Sequence, residues 1–112
     1  MNIVMLDAGT LGDDLSFDLF RAFGEVRVYA ATAPCELSAR IADADVIILN
    51  KIKFTREVFA LAPRLRLLCI TATGYDNIDV SAARERSVAV CNVPGYSTAS
   101  VVQVTLAMAL SL

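Results

Sequence analysis

The sequence contains no histidine. Histidine is the commonest proton donor and acceptor near neutral pH. Chemistry that needs one cannot be completed by these 112 residues alone. There is also no Gly-x-Gly-x-x-Gly. Gly9 and Gly12 stand in Gly9-Thr10-Leu11-Gly12 without the central glycine, so a complete dinucleotide fingerprint is absent. No basic run occurs and the formal net charge is −2, which removes the electrostatic footprint of a nucleic-acid binder. No apolar run reaches the roughly 18 residues of a membrane helix. The start, Met1 to Asp7, lacks the length and flanks of a signal peptide. Cysteine is scarce: Cys35, Cys69 and Cys91 match no metal spacing. Cys69 and Cys91 lie in apolar runs and are expected to be buried, reduced core residues, with a cytoplasmic location as the default.

What is present is apolar. Hydrophobic residues make up 56% of the chain, charged residues 20%, and the mean hydropathy is +0.58. That surplus implies surface to be covered by something else. The length suits one compact domain.

Apolar runs alternate with helical patterns. Asn2 to Leu6 reads as a first strand ending at Asp7. Asp13 or Asp14 is expected to cap a helix carrying Leu15, Phe17, Leu19, Phe20 and Phe23, closed by Gly24. Val26 to Tyr29 is a second strand, Pro34 to Ala44 a helix, and Asp45 to Leu49 a fully buried strand of the parallel-sheet type. Thr55 reads as the cap of a short helix over Arg56 to Leu61, with Pro63 closing it. Leu67 to Ile70 is a fourth strand, Ile78 to Ala83 a short helix, and Val88 to Cys91 a fifth strand. Thr98 to Leu112 is helical by pattern and almost wholly apolar, so it needs cover on more than one side. The fold class is α/β: a flavodoxin-like, doubly wound parallel sheet of five strands.

In such a sheet the loops after the strands share one edge, where ligands bind. Three are candidates here: Asn50-Lys51, Thr71 to Tyr75, and Pro94 to Ser97. The small residues Thr71-Ala72-Thr73-Gly74 allow close approach to backbone N–H groups, and a carboxylate suits that setting. A blander reading has Lys51 solvated, Asn50 in a turn and Gly74 serving only a positive φ. Asp76 and Asp79 are expected to cap the following helix rather than to act as acids or bases.

The run Thr71-Ala72-Thr73-Gly74-Tyr75-Asp76-Asn77-Ile78-Asp79, followed by Val90-Cys91-Asn92-Val93-Pro94-Gly95-Tyr96-Ser97-Thr98-Ala99-Ser100-Val101-Val102-Gln103, resembles the D-isomer-specific 2-hydroxyacid dehydrogenases. Pro94 to Thr98 and the Asn50-Lys51 pair look most like the glycerate (hydroxypyruvate) dehydrogenase branch. The resemblance implies a two-domain oxidoreductase interconverting a small D-2-hydroxy acid and its 2-oxo acid. It implies that residues 1–96 are the first segment of the substrate-binding domain, and that 97–112 are a crossover helix leading toward a separate Rossmann domain. It places the substrate carboxylate on the Ala72-Thr73-Gly74 loop and a closing loop at Asn50-Lys51. It puts Ser97 near the substrate, and Thr73 and Val101 near the nicotinamide. NAD or NADP would be held mainly by residues outside this chain, as would the family's catalytic arginine, acidic residue and histidine, and the full-length protein would be a homodimer. Gln103 stands where many members carry glutamate. The competing reading is a stand-alone flavodoxin-like module that binds small anions without catalysis.

Overall fold

The computed structural model describes residues 1–112. Five strands form one parallel sheet: β1 (Asn2–Met5), β2 (Glu25–Val28), β3 (Val46–Leu49), β4 (Leu67–Ile70) and β5 (Ala89–Cys91), in the order β2-β1-β3-β4-β5. This is the flavodoxin-like order, in which the chain reverses direction across the sheet at β1 and β3. The register sets Ile3 beside Val46, Ile48 beside Cys69, and Cys69 beside Cys91.

Alternation along the strands sends successive side chains to opposite faces. Val4, Leu6, Ile47, Leu49, Leu68 and Ile70 face one side and form the main core. Helices α1 (Pro34–Ile41), α2 (Arg56–Ala60) and α3 (Val80–Glu85) cover that side, contributing Ile41, Phe59, Ala82 and Ala83. Phe54 and Phe59 pack edge to face with ring centroids 4.7 Å apart, both fully buried. Pro34 opens α1, where its missing N–H costs nothing. The Asp79 carboxylate caps α3 by accepting the Ala82 N–H at 2.8 Å.

The opposite face is covered over only half its width. Ile3, Met5, Val46 and Ile48 are buried there beneath Leu11 and Phe17. The α-helix expected between β1 and β2 does not form. A short 3-10 turn (Asp18–Phe23) stands in its place, and Leu15, Leu19, Phe20 and Phe23 are exposed. Local side-chain bonds compete with a helix here: Ser16 Oγ accepts the Asp18 N–H and donates to the Asp18 carboxylate. Neither Asp13 nor Asp14 caps a helix, because none starts there. Gly24 then passes so close to the chain start that a Cβ would lie 2.0 Å from the Met1 carbonyl oxygen.

Over β4 and β5 that second face is open. Cys69 is therefore half-buried and Cys91 exposed, not core residues as expected. Their apolar neighbours in sequence point to the covered face, whereas they point away from it. The closing helix, α4 (Thr98–Leu110), lies against nothing: no residue in it is buried, and Val101, Val104, Leu106 and Met108 are all more than half exposed. No helix is long and apolar enough to cross a membrane.

Asp45 ties the strand starts together. Its carboxylate accepts the Asn2 N–H at 2.7 Å and meets Arg64 at 3.2 Å. The Asn2 N–H, then Arg64, hold this carboxyl below the usual carboxylate range. A depressed pKa contributes stability that is present above the ordinary aspartate range and lost as the pH falls through the folded-state value. Urea denaturation across an acid pH series should therefore show stability falling with acidification. Asp45→Asn should be less stable near neutrality and should show a shallower acid dependence.

Candidate functional site

The loops that follow β1, β3 and β4 meet at one edge of the sheet. Asp7 ends the apolar run of β1 and is 5% exposed. A buried carboxylate must be paired or hydrogen-bonded, and its partners are backbone groups of the loop after β3. Asn50 N–H donates to both of its oxygens, at 2.9 and 3.0 Å, and Lys51 N–H donates at 2.7 Å. The Thr10 hydroxyl donates to the Asp7 carbonyl at 2.8 Å and accepts the Asn50 side-chain amide at 2.9 Å. Asn50 is thus held by both its backbone and its side chain.

Asn77 fastens the same loop from the other side. Its amide donates to the carbonyls of Asn50 at 3.2 Å and Ile52 at 2.8 Å. Its own carbonyl accepts the Phe54 N–H, and the Phe54 carbonyl accepts the Asp79 N–H. Residues 50–54 are in this way laced to residues 77–79.

The loop after β4 is braced by the loop after β5. Val93 N–H donates to the Ala72 carbonyl at 3.0 Å, Thr73 Oγ1 to the Val93 carbonyl at 2.9 Å, and Asn92 Nδ2 to the Thr73 carbonyl at 2.8 Å. These bonds use carbonyls and side chains. The backbone N–H groups of Ala72, Thr73, Gly74 and Tyr75 donate to nothing within the chain.

Between the braced loops lies a cleft of about 300 Å³, lined by Asn50, Lys51, Ala72, Gly74, Asp76 and Asn77. Lys51 is its one cation and takes part in no ion pair. Gly74 is informative for what the fold does not ask of it. Its φ is not positive, and the one atom a Cβ would approach is an Asp76 carboxylate oxygen at an ordinary 3.6 Å. The turn itself does not require glycine at this position. Asp76 lies in the exposed loop and caps nothing; α3 takes its cap from Asp79 alone. An anion in the cleft would meet Lys51 and unclaimed N–H groups on one side and the Asp76 carboxylate on another.

Of the residues singled out from the sequence, Asn50, Lys51, Ala72 and Gly74 come together around this cleft. Thr73 stands beside them but turns its hydroxyl to Val93. Ser97 and Val101 do not reach the cleft: Ser97 precedes α4, and Val101 is 59% exposed on it. Asp7 and Asn77, which position everything else, are not among the residues that the sequence marks as a site. Their signal was slight: an acidic residue closing an apolar run, and an amide amid turn residues.

The Gly9 to Gly12 segment offers no cradle for a dinucleotide pyrophosphate. In the Gly9 to Gly12 segment, the N–H groups of Gly9, Thr10 and Leu11 are spent on Ala30, Asp7 and Ala8 carbonyls. A Cβ at Gly9 would sit 2.9 Å from the Ala30 carbonyl oxygen, so that glycine serves packing against β2's end.

Residues 3–108 match the family model described as D-isomer specific 2-hydroxyacid dehydrogenase, catalytic domain. The chain is 40% identical to a hydroxypyruvate reductase of Blautia hydrogenotrophica, an alignment covering all of this chain and 36% of that protein. Among solved structures it superposes on an acyclic imino acid reductase in complex with NADPH and D-Arg, with a TM-score of 0.84 at 26% identity, over 96% of this chain and 35% of that one. It also superposes on a NAD-dependent formate dehydrogenase of Staphylococcus aureus in complex with NAD, with a TM-score of 0.78 at 26% identity, over 98% of this chain and 37% of that one. The chain thus spans about a third of the length of these relatives.

Replacing Asp7 with alanine leaves the N–H groups of Asn50 and Lys51 unpaired. Charge-assisted hydrogen bonds and stranded donors of this kind are worth about 3 kcal/mol together. Asp7→Ala is expected to lower unfolding stability by roughly that amount and to free the 50–54 loop. Urea denaturation reads the first effect, and amide hydrogen exchange at residues 50–52 the second.

Proposed function

Since the chain belongs to the D-isomer-specific 2-hydroxyacid dehydrogenase family, we propose that it is the substrate-binding part of an NAD- or NADP-dependent oxidoreductase. This enzyme interconverts a small, glycerate-like D-2-hydroxy acid and its 2-oxo acid. One observation carries the reading: a cleft lined by Ala72 and Gly74, from a loop whose backbone N–H groups are unclaimed and whose glycine the fold does not need. Close backbone approach to a ligand is a recognised use of glycine. The substrate carboxylate accepts from the Ala72-Thr73-Gly74 backbone. Lys51 adds an attractive charge on the approach, and the Asn50-Lys51 loop, held by Asp7, closes the other side of the cleft. Ser97, outside the cleft in this chain, comes to border the substrate only once the cofactor domain is in place beside α4.

The dinucleotide is held chiefly by residues other than these 112, a reading supported by the Gly9 to Gly12 segment, whose N–H groups are already used within the chain. Thr73 and Val101 are the residues of this chain that border its nicotinamide end. In this reading residues 1–96 form the substrate-binding segment, and 97–112 cross to a cofactor domain that covers α4's apolar surface. The working protein is a homodimer. Its three free thiols favour the reducing cytoplasm. The hydroxypyruvate reductase of Blautia hydrogenotrophica supports a three-carbon hydroxy acid as substrate.

Two outcomes are expected. The 112-residue chain by itself, lacking histidine, should show no turnover when NADH oxidation is followed with hydroxypyruvate; measurable turnover would overturn the assignment of catalysis to other residues. In the protein as its source makes it, Gly74→Ala should change unfolding stability by less than about 1 kcal/mol. It should raise the KM for the 2-oxo acid at least tenfold. An unchanged KM would remove the carboxylate from this loop.

A further inference from the structure

Asn77 follows the β4 loop and lines the cleft, and its side-chain nitrogen is spent on the loop opposite. The two carbonyls it meets, those of Asn50 at 3.2 Å and Ile52 at 2.8 Å, belong to the residues on either side of Lys51. Neither carbonyl accepts from any other donor in the chain. The two ends of this loop have anchors of their own. At the near end Asp7 accepts the Asn50 and Lys51 N–H groups. At the far end Phe54 is fully buried against Phe59 and pairs with Ile78 in an isolated parallel bridge. Between these ends Asn77 alone holds the carbonyl side of the turn. The Lys51 ammonium has no ion-pair partner, so the course of this backbone decides where the charge stands. Both Asn77 bonds are only part-buried, so water can replace a lost donor and the cost to folding is modest.

We propose that Asn77 is a positioning residue for the 2-oxo acid, acting through Lys51: its amide grips the backbone on both sides of that lysine and holds the charge at the cleft. The proposal rests on the reading of this cleft as the carboxylate site. Asparagine suits the task because one nitrogen carries two N–H donors. An ionised aspartate would offer none. A histidine ring would offer one, from Nδ1, at a similar distance from the backbone.

The test is a double-variant cycle in the KM for hydroxypyruvate, on the protein as its source makes it, with Asn77→Ala, Lys51→Met and both together. Each single change should raise KM about tenfold and leave kcat within about threefold, as expected for groups that act on binding. Because Asn77 acts through Lys51, the double variant should stay near about tenfold rather than reach about a hundredfold. Asn77→His, which keeps one donor, should recover part of the loss in the parent protein and none beside Lys51→Met. Losses that multiply would show that Asn77 acts by general packing or by touching the acid itself, and would overturn the proposal. So would a KM unmoved by Asn77→Ala or by Lys51→Met. Should Asn77→Ala fail to fold, the cycle run with Asn77→His is decided by the same outcomes. Gly74→Ala separates this proposal from the reading beneath it. A KM unmoved by Gly74→Ala removes the carboxylate from the loop, whereas a raised KM there with multiplying losses here removes the role of Asn77 alone.

Discussion

The Asp7 carboxylate accepts the Asn50 N–H through both oxygens and the Lys51 N–H through one, all within 3.0 Å. It is the one polar side chain of the core. Around it the sheet is held by apolar contacts and ladder bonds that fix strands but do not by themselves fix loops. Asp7 lies at the end of β1, where the chain leaves the covered interior, and β3 runs beside it. A carboxylate there satisfies donors that the turn after β3 would otherwise leave stranded. Once Asn50 is fixed, its carbonyl accepts Asn77 and its amide donates to Thr10. Asn77 in turn orders the residues beyond the β4 loop. The cleft's geometry descends from this single carboxylate, although Asp7 does not line it.

Much of the fold was legible in the sequence because its signals are local. Short apolar runs at Asn2 to Leu6, Asp45 to Leu49 and Leu67 to Ile70, bounded by loop residues, read as strands covered on at least one face. Pro34 and Asp79 mark helix starts by their own chemistry, while Thr55 takes the N-cap position of α2 without a side-chain cap bond. The segment after Gly12 departs from its sequence pattern for an equally physical reason. Leu15, Phe17, Leu19, Phe20 and Phe23 have a spacing that fits a helix loosely. Ser16 and Asp18 instead satisfy each other locally and leave a 3-10 turn. Cys69 and Cys91 carried an apolar-run signal that says buried, but periodicity alone does not report which face of the sheet has cover. The candidate site was legible as a loop of small residues; the residues that hold it were not. Asp7 and Asn77 act across 43 and 27 positions of sequence, a separation that single-sequence patterns do not register.

Two apolar surfaces stand without cover: the β4–β5 half of one sheet face, and the whole circumference of α4. They match the hydropathic surplus of the composition. In the proposed enzyme the α4 surface is absorbed by the cofactor domain, which brings the nicotinamide toward the β4 loop. The division of labour is then simple. In that proposal this chain orients the acid through its carboxylate and shields it, and residues elsewhere supply the cofactor and the acid–base groups that a histidine-free chain does not carry.

The central claim is that backbone N–H groups of the β4 loop bind the substrate carboxylate. The most direct test is the amide spectrum of the ¹⁵N-labelled protein titrated with hydroxypyruvate. Saturable shifts at Thr73 and Gly74, larger than those at Asn92 and Val93, are predicted, since these free donors would gain an anionic acceptor. Saturable binding with the amides of residues 72–75 unmoved would contradict the account and place the acid elsewhere.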